Sequence, residues 1–165
     1  SDVICVVVGG ELVHRALDVE FYNRDYRTHV LGATPLVDPE RIWFLGEVTP
    51  AVVAELLAVS DLHVYLSRPY VVSRSLVEAM ASGCVVLAAD TPPAREFITQ
   101  GVTGLLVPPG DADAWEQQAR TVLDDPAEFR PLGEAAAALA RERFDRDVTL
   151  PALATLFDKL AADAG

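Results

Sequence analysis

Two apolar runs separated by one short helical segment constrain the fold of this chain more than any other feature. The runs are 62–66 and 84–89, and both have the length and composition of buried strands. Between them, Ser75 and Glu78 have the spacing of a capping box, which predicts a helix that begins near Ser75. Gly83 can adopt the left-handed conformation that ends a helix. The stretch therefore predicts a strand, a polar loop, a helix and a second, parallel strand.

The remaining segments continue this alternation of strand and helix. Alternating strands and helices are typical of a parallel sheet with helices on both faces. The 165 residues are enough for one such domain with its own core. The sequence therefore predicts a single α/β domain. Further strands are predicted at 3–8 (buried), 41–45 and 105–107, and helices at 50–59, at 94–99, after Asp111 or Asp113, at 127–144, at 151–162 and, with uncertain limits, within 11–35.

Charge and hydropathy argue against several classes of protein. The net charge of −12 disfavours a nucleic-acid partner, because such a partner needs a basic face. No apolar run reaches the roughly 18 residues of a membrane-spanning helix. No secretory signal is visible either. A globular protein of the cytoplasm is the expectation.

Cysteine and histidine positions argue against a disulfide or a metal site. Cys5 and Cys84 lie in apolar, strand-like runs, which favours small buried thiols and agrees with the reducing cytoplasm. His14, His29 and His63 have no i, i+4 spacing, so no metal site is expected. We interpret His63 as a core or edge residue with satisfied hydrogen bonds.

The loop before the central helix has the chemistry of an anion and hydroxyl site. It follows a predicted parallel strand, and open α/β sheets bind ligands at the carboxyl ends of their strands. The free N–H groups of the first helical turn point into that crevice. There, Glu78 can accept two hydrogen bonds from a vicinal diol such as a ribose. From the residues alone, an equally compatible role is structural, with Glu78 capping its own helix together with Ser75.

The same stretch resembles the signature of a known enzyme family. It is similar to that of the group 1 retaining glycosyltransferases, which have two Rossmann-like domains in the GT-B architecture. Segments 41–46, 95–98 and 101–108 fit the same pattern in order and spacing, so the resemblance covers residues 42–144. The residues that carry it, followed by an apolar strand, are Ser73, Ser75, Leu76, Glu78, Ala79, Met80, Ala81 and Gly83.

This resemblance implies a donor-binding role for the loop and the helix. Glu78 aligns with the second glutamate of the family's Glu-x7-Glu motif, which binds the ribose hydroxyls of the nucleotide. The first glutamate, which helps to hold the donor sugar, falls at Tyr70. Tyr70 would then pack against the sugar or fill the loop, and because some family branches are similar here, we do not interpret the change as loss of function. The main-chain N–H groups that would approach the sugar or phosphate belong to Val71, Val72, Ser73 and Arg74.

Four residues near this loop have two open interpretations each. Ser73 and Ser75 are candidate phosphate donors or simple helix caps. Arg74 would pair with the diphosphate or lie free in solvent, and we favour the solvated state. Val48 lies where the family contacts the base through its main chain, and an ordinary turn is the alternative.

The chain departs from the family pattern at its start. The nucleotide domain of the family begins with a strand that ends in Gly-Arg, followed by a lysine that helps to clamp the diphosphate. This chain starts one strand later, at Val3. We therefore expect a fragment of the C-terminal half that lacks the first strand and the N-terminal acceptor domain, and that is inactive alone. The two unpaired strand edges predict a rearranged sheet or a dimer.

The resemblance implies transfer of a glycosyl group from a nucleotide-diphosphate sugar to an acceptor hydroxyl with retention of configuration. The acceptor would be a glycan, a lipid or a small molecule held by the N-terminal domain, as in polysaccharide biosynthesis. No metal or other cofactor is expected, since helix N-termini and basic side chains can neutralise the diphosphate. The full-length enzyme is expected in the cytoplasm, with peripheral attachment to a membrane left open. The alternatives are a nucleotide-sugar epimerase of the same architecture and a non-catalytic domain that kept the fold.

Overall fold

The computed structural model of the chain describes residues 3–9, 26–33, 38–67 and 71–163. Its strands are β1 (Cys5–Val8), β2 (Ile42–Gly46), β3 (Leu62–Tyr65), β4 (Val85–Ala89) and β5 (Leu105–Val107). Its helices are α1 (Tyr26–Ala33), α2 (Pro50–Val59), α3 (Arg74–Ala81), α4 (Pro92–Arg95), α5 (Ala112–Asp124), α6 (Pro126–Phe144) and α7 (Arg146–Asp163), with a 3-10 helix at Pro39–Arg41.

All strand pairs in the described residues are parallel. β1 pairs with β2, and β3, β4 and β5 form a second sheet in that order. The predicted α/β class with parallel strands and flanking helices is therefore confirmed. The chain divides into two compact units, Ser1–Val53 and Ala54–Gly165. That the whole chain is a single domain stays a prediction.

The first unit contains an exposed strand pair. Cys5 lies opposite Ile42, and the N–H of Gly9 donates to the carbonyl of Gly46 over 2.9 Å. Val7 is 40% exposed, and the whole of β1 is exposed. The prediction of a buried first strand is wrong, because β1 contacts mainly β2 in the part of the unit that the structure describes. For the same reason Cys5 is exposed rather than buried.

The second unit is built around β4, which is buried along its whole length. Val85 and Leu87 of β4 pack in one cluster with Val122 of α5. Because side chains alternate along a strand, Val86 and Ala88 lie on the opposite face, and both are fully buried. Helices α3 and α6 both contact β4. The cluster on the α5 side comprises Val85, Leu87, Leu105, Val107 and Val122.

Helices α3 and α6 meet at a contact between two glycines. Gly83 has a φ of +77° and ends α3, as the sequence predicts. A Cβ atom on Gly133 of α6 would overlap the carbonyl oxygen of Gly83, so only glycine fits there. On the inner side of α3, Leu76, Ala79 and Met80 are fully buried. Packing therefore fixes this helix along its inner face and at its C-terminal end.

Two buried groups lie at the start of β3 and β4. Cys84 is 2% exposed, and burial, with a smaller effect from Asp61, raises the pKa of its thiol to about 12. The Nε2 atom of His63 is buried without a hydrogen-bond partner, and this burial lowers the pKa of the imidazole. The prediction for Cys84 is confirmed, whereas the interpretation of His63 as a satisfied residue is wrong.

Two helix starts lie two or more residues before the predicted position, whereas α3 and α6 begin within one residue of it. Helix α3 begins at Arg74, one residue before Ser75. Helix α4 begins at Pro92, because the Thr91 hydroxyl accepts the N–H of Ala94. Helix α7 begins at Arg146 because Asp145 accepts the N–H of Asp147, and Pro151 then lies inside the helix. The capping side chains of Thr91 and Asp145 therefore explain why α4 and α7 begin earlier than predicted.

Two further expectations concern membrane-spanning helices and unpaired strand edges. In the part of the chain that the structure describes, no helix is both long and apolar enough to cross a membrane. Among the described strands, β1 pairs only with β2 and β3 only with β4, so each has one unpaired edge. A missing strand, a rearranged sheet and a dimer stay predictions.

Candidate functional site

An open cavity of about 450 Å³ lies at the carboxyl end of β3. Tyr65 ends the strand, and the chain returns to the cavity where α3 begins. Ligands of open α/β sheets bind at this edge. The residues that line the cavity are Val64, Tyr65, Leu66, Ser67, Val71, Ser73 and Ser75.

The start of α3 is polar and has no side-chain cap. Ser73 is the N-cap residue, but its side chain makes no capping hydrogen bond. Its hydroxyl shares a hydrogen bond with that of Ser75 over 2.6 Å, and its own N–H donates to the Tyr65 hydroxyl over 2.7 Å. The N–H of Leu76 donates to the Ser73 carbonyl. The amides of Arg74 and Ser75 precede this bond and have no intrahelical acceptor, so they can serve a ligand.

The predicted capping box between Ser75 and Glu78 is not formed. The carboxylate of Glu78 instead pairs with Arg74, with 2.8 Å between Oε1 and Nε. The Glu78 side chain is 37% exposed and that of Arg74 is 82% exposed. Glu78 is thus accessible, and a carboxylate with one oxygen in an ion pair keeps further acceptor positions. It lies about one helical turn beyond Ser75 and does not line the cavity.

The structure gathers only some of the predicted site residues. Val71 is 58% exposed and lines the cavity, whereas Val72 is half-buried. Tyr70 lies outside the described residues. Val48 belongs to the first unit, where it lies half-buried in the turn after β2.

Val64, Tyr65, Leu66 and Ser67 line the cavity but were not predicted as site residues, and Tyr65 is the one of them whose side chain is tied to the start of α3. It was expected only as part of a buried strand, and it is indeed 6% exposed. A buried tyrosine hydroxyl usually has a hydrogen-bond partner, and this one accepts the N–H of Ser73. A tyrosine at the last position of an apolar strand is the signal that could have identified it.

The carboxyl end of β4 carries a second polar group. Asp90 follows the strand, and Arg95 donates to its Oδ2 atom over 2.8 Å. These hydrogen bonds from Arg95 lower the pKa of the Asp90 carboxyl. Asp90 is therefore an ionised carboxylate whose oxygens already accept hydrogen bonds from Arg95. Among the residues that the structure describes, no group of three or more histidine, cysteine, aspartate or glutamate residues is placed to hold a metal ion.

Comparison with known proteins gives a consistent family. A family model described as "Glycosyl transferases group 1" matches residues 2–125. N-acetyl-alpha-D-glucosaminyl L-malate synthase of Bacillus anthracis is 33% identical over 124 residues, which are 75% of this chain and 32% of that protein. Phosphatidyl-myo-inositol mannosyltransferase of Mycobacterium leprae (strain TN) is 32% identical over 126 residues, 74% of this chain and 33% of that protein. The chain thus spans about a third of the length of these relatives.

Solved structures agree with this comparison. The crystal structure of Anabaena HepE in complex with UDP-glucose has a TM-score of 0.78 and 27% identity to this chain. The similarity covers 94% of this chain and 41% of HepE.

Proposed function

The chain belongs to the group 1 glycosyl transferases, and from this membership we propose that it holds the nucleotide-sugar donor of such an enzyme. The observation that carries the proposal is the open cavity where the polar start of α3 meets the end of β3. Both elements lie within the matched residues 2–125. A cavity of about 450 Å³ is in the range of small-molecule sites.

The start of α3 would bind the diphosphate and the sugar. The free amides of Arg74 and Ser75 are directed along the helix axis, where the helix dipole favours negative charge. The hydroxyls of Ser73 and Ser75 share a hydrogen bond of 2.6 Å, which uses one of their two protons, so the pair would add one further donor. Of the predicted main-chain contacts, the Ser73 amide is engaged by Tyr65 in the free protein. Val71 and Val72 complete the predicted loop, and Tyr70 would contact the sugar.

Glu78 would bind the ribose, and Arg74 would orient the Glu78 carboxylate for this contact. The ion pair orients the carboxylate and leaves acceptor positions for the two hydroxyls of a diol. Arg74 is the first residue of α3, so its positive charge lies near the amides of the first turn. Because its side chain is 82% exposed, it would be accessible to the diphosphate. The contact of the Val48 main chain with the base stays a prediction.

The reaction would transfer the glycosyl group with retention of configuration. The bond between the anomeric carbon and the β-phosphate oxygen breaks, and a new bond forms to the acceptor oxygen. The nucleoside diphosphate leaves with the electron pair, and its phosphate oxygen takes up the proton that the acceptor hydroxyl loses. The contribution of this chain is to position the donor and to stabilise the charge that develops on the leaving diphosphate. Neither a metal nor another cofactor is part of the proposal.

Titration with nucleoside diphosphates tests the proposal. UDP is present in HepE structures that resemble this chain, so we expect UDP to bind, with GDP as the comparison. In calorimetry the chain should release or absorb heat with one of the two nucleotides. A ligand at one hundred times its Kd should raise the free energy of unfolding by about 2.7 kcal/mol. Absence of heat with any nucleoside diphosphate, for the intact full-length protein, would favour the alternative of a non-catalytic domain.

A pair of matched variants locates the binding site. Glu78→Gln removes the carboxylate charge and should weaken UDP binding by roughly 10- to 100-fold, since a hydrogen bond to a charged group contributes about 1.5–3 kcal/mol. Glu116→Gln is the control, because Glu116 forms the same i, i+4 ion pair with Arg120, at 2.9 Å, on α5. The control should leave the affinity for UDP unchanged. Equal affinities of all three proteins would place the nucleotide away from Glu78.

The acceptor and the location of the enzyme stay predictions. An acceptor glycan, lipid or small molecule would bind through the N-terminal domain of the full-length enzyme. A cytoplasmic location, attachment to a membrane surface and a role in polysaccharide biosynthesis stay predictions.

A further inference from the structure

The hydroxyl of Tyr65 connects the two elements that form the cavity. Tyr65 ends β3, Ser73 precedes α3, and the hydrogen bond between them spans eight residues of chain. We propose that Tyr65 is a positioning residue, which holds the N-terminus of α3 in place for the diphosphate. This inference rests on the proposed donor-binding function and names a residue that the family signature in this chain does not include.

The bond satisfies the N–H of the N-cap residue itself, which in a capping box the side chain at the third helical position would accept. An N-cap serine normally accepts an N–H of the first turn with its own hydroxyl. Ser73 makes no such bond, since its hydroxyl is engaged with Ser75. The start of α3 is therefore tied to the sheet through the main-chain N–H of Ser73 and the ring of Tyr65. This arrangement keeps both serine hydroxyls at the cavity.

Burial makes Tyr65 a suitable anchor. The residue is 6% exposed and ends a strand that pairs with the fully buried β4. A phenol ring held in this way has little freedom, so its hydroxyl defines the position of the Ser73 amide. The next two amides, of Arg74 and Ser75, are those proposed to bind the diphosphate. Their position relative to β3 thus follows from the Tyr65 hydroxyl.

Tyr65→Phe tests this role, because it removes the oxygen and keeps the ring. We expect the variant to bind UDP roughly 3- to 10-fold more weakly than the wild type, as for the loss of one hydrogen bond. UMP lacks the second phosphate, and its affinity should stay within about twofold. GDP and GMP form the equivalent pair if the chain prefers guanine. A general loss of structure would lower the affinities for the diphosphate and the monophosphate by the same factor. A change in the ratio of the two affinities therefore reports on the position of the α3 amides.

Ser82→Ala is the matched control at the other end of the same helix. The Ser82 hydroxyl donates to the Glu78 carbonyl over 2.9 Å, so this variant also removes one hydrogen bond from α3. It should leave the ratio of UDP to UMP affinity unchanged. Equal UDP affinity in Tyr65→Phe and wild type, or equal weakening of UDP and UMP, would overturn the proposal.

Hydrogen exchange of the wild-type chain gives a second test that does not depend on the variant. The Ser73 amide lies outside the helix, yet it should exchange slowly because Tyr65 accepts its proton. Exchange at the rate of an open loop would overturn the proposal. If the wild type binds no nucleotide at all, the donor-binding function fails and this inference fails with it, whereas binding with an unaltered UDP to UMP ratio rejects Tyr65 alone.

Discussion

The two ends of the β3–β4 pair differ sharply, although short stretches of the same unit build both. At the closed end, which we define as Gly83, Cys84 and Gly133, two backbones touch and the thiol is 2% exposed. At the open end, defined as all the residues that line the cavity, serine and tyrosine hydroxyls and apolar side chains together surround about 450 Å³ of space. Helix α3 connects the two ends.

The difference shows where the stability of α3 comes from. Its N-cap lacks a side-chain hydrogen bond, which usually contributes about 1 kcal/mol. A helix of eight residues is too short to be stable by itself. Packing of Leu76, Ala79 and Met80, and the contact at the closed end, must therefore hold it. Because the closed end holds the helix, the open end is free to keep polar groups for a ligand.

Gly133→Ala should have the largest effect, because it breaks the closed end. The new methyl group would overlap the Gly83 carbonyl, and backbone atoms cannot yield as a flexible side chain can. Alanine favours helix by about 1 kcal/mol over glycine, but the overlap should outweigh this gain. We expect a net loss of roughly 3 kcal/mol in the free energy of unfolding, measured by urea denaturation.

Glu134→Ala is the control for this substitution. Glu134 is the next residue of the same helix and is exposed, so the change should stay within about 0.5 kcal/mol. A Gly133→Ala variant as stable as the wild type would mean that the two helices can separate freely, and that the closed end does not hold α3.

Thiol reactivity should sharpen the comparison, because the two cysteines differ in exposure. Cys5 is exposed and should react with a thiol reagent at once. Burial raises the pKa of Cys84 to about 12, so at pH 8 this residue is a thiol rather than the reactive thiolate. In a Cys5→Ser variant we therefore expect Cys84 to react only as fast as the unit opens. In Gly133→Ala the reaction should be faster, and rapid modification of Cys84 in the otherwise native chain would contradict a closed end.

His63 should make stability depend on pH. Its ordinary pKa is 6.5, and burial lowers the value in the folded chain. As the pH falls below 6.5, the unfolded chain takes up a proton that the folded chain does not, so the free energy of unfolding decreases. Urea titrations at pH 7.5, 6.5 and 5.5 should show this decrease, and it should be smaller in His63→Gln. Equal pH dependence of the two proteins would show that the imidazole is not buried as neutral base.

The sequence predicts the order and type of these elements better than it predicts their surroundings. The 3–8 and 84–89 runs are similarly apolar, yet β1 is exposed and β4 is buried. Burial depends on which elements pack on a strand, and that is a property of the tertiary structure. Gly133 is a comparable case. It lies in an alanine-rich helix, and glycine is required there because of a contact with Gly83, which lies 50 positions earlier in the sequence.

The site was predictable to a similar extent. The loop and the helix start follow from local spacing, and the structure places Ser73, Ser75 and Val71 at one cavity. The capping box did not form, because an i, i+4 arginine at position 74 competes for the Glu78 carboxylate. Tyr65 was missed because its partner lies across the loop, and no local spacing indicates such a bond.

Arg74→Ala should have the smallest effect on stability, and it tests the open end directly. The ion pair with Glu78 is exposed, and exposed pairs contribute about 0.2–1 kcal/mol at most. We expect a loss below about 0.5 kcal/mol by urea denaturation, equal to that of Arg120→Ala, which removes the matched pair on α5. Only Arg74→Ala should weaken UDP binding, since the Glu78 carboxylate is then no longer oriented for a diol. A loss above roughly 2 kcal/mol would mean that this ion pair, and not the packing beneath it, holds α3 in place.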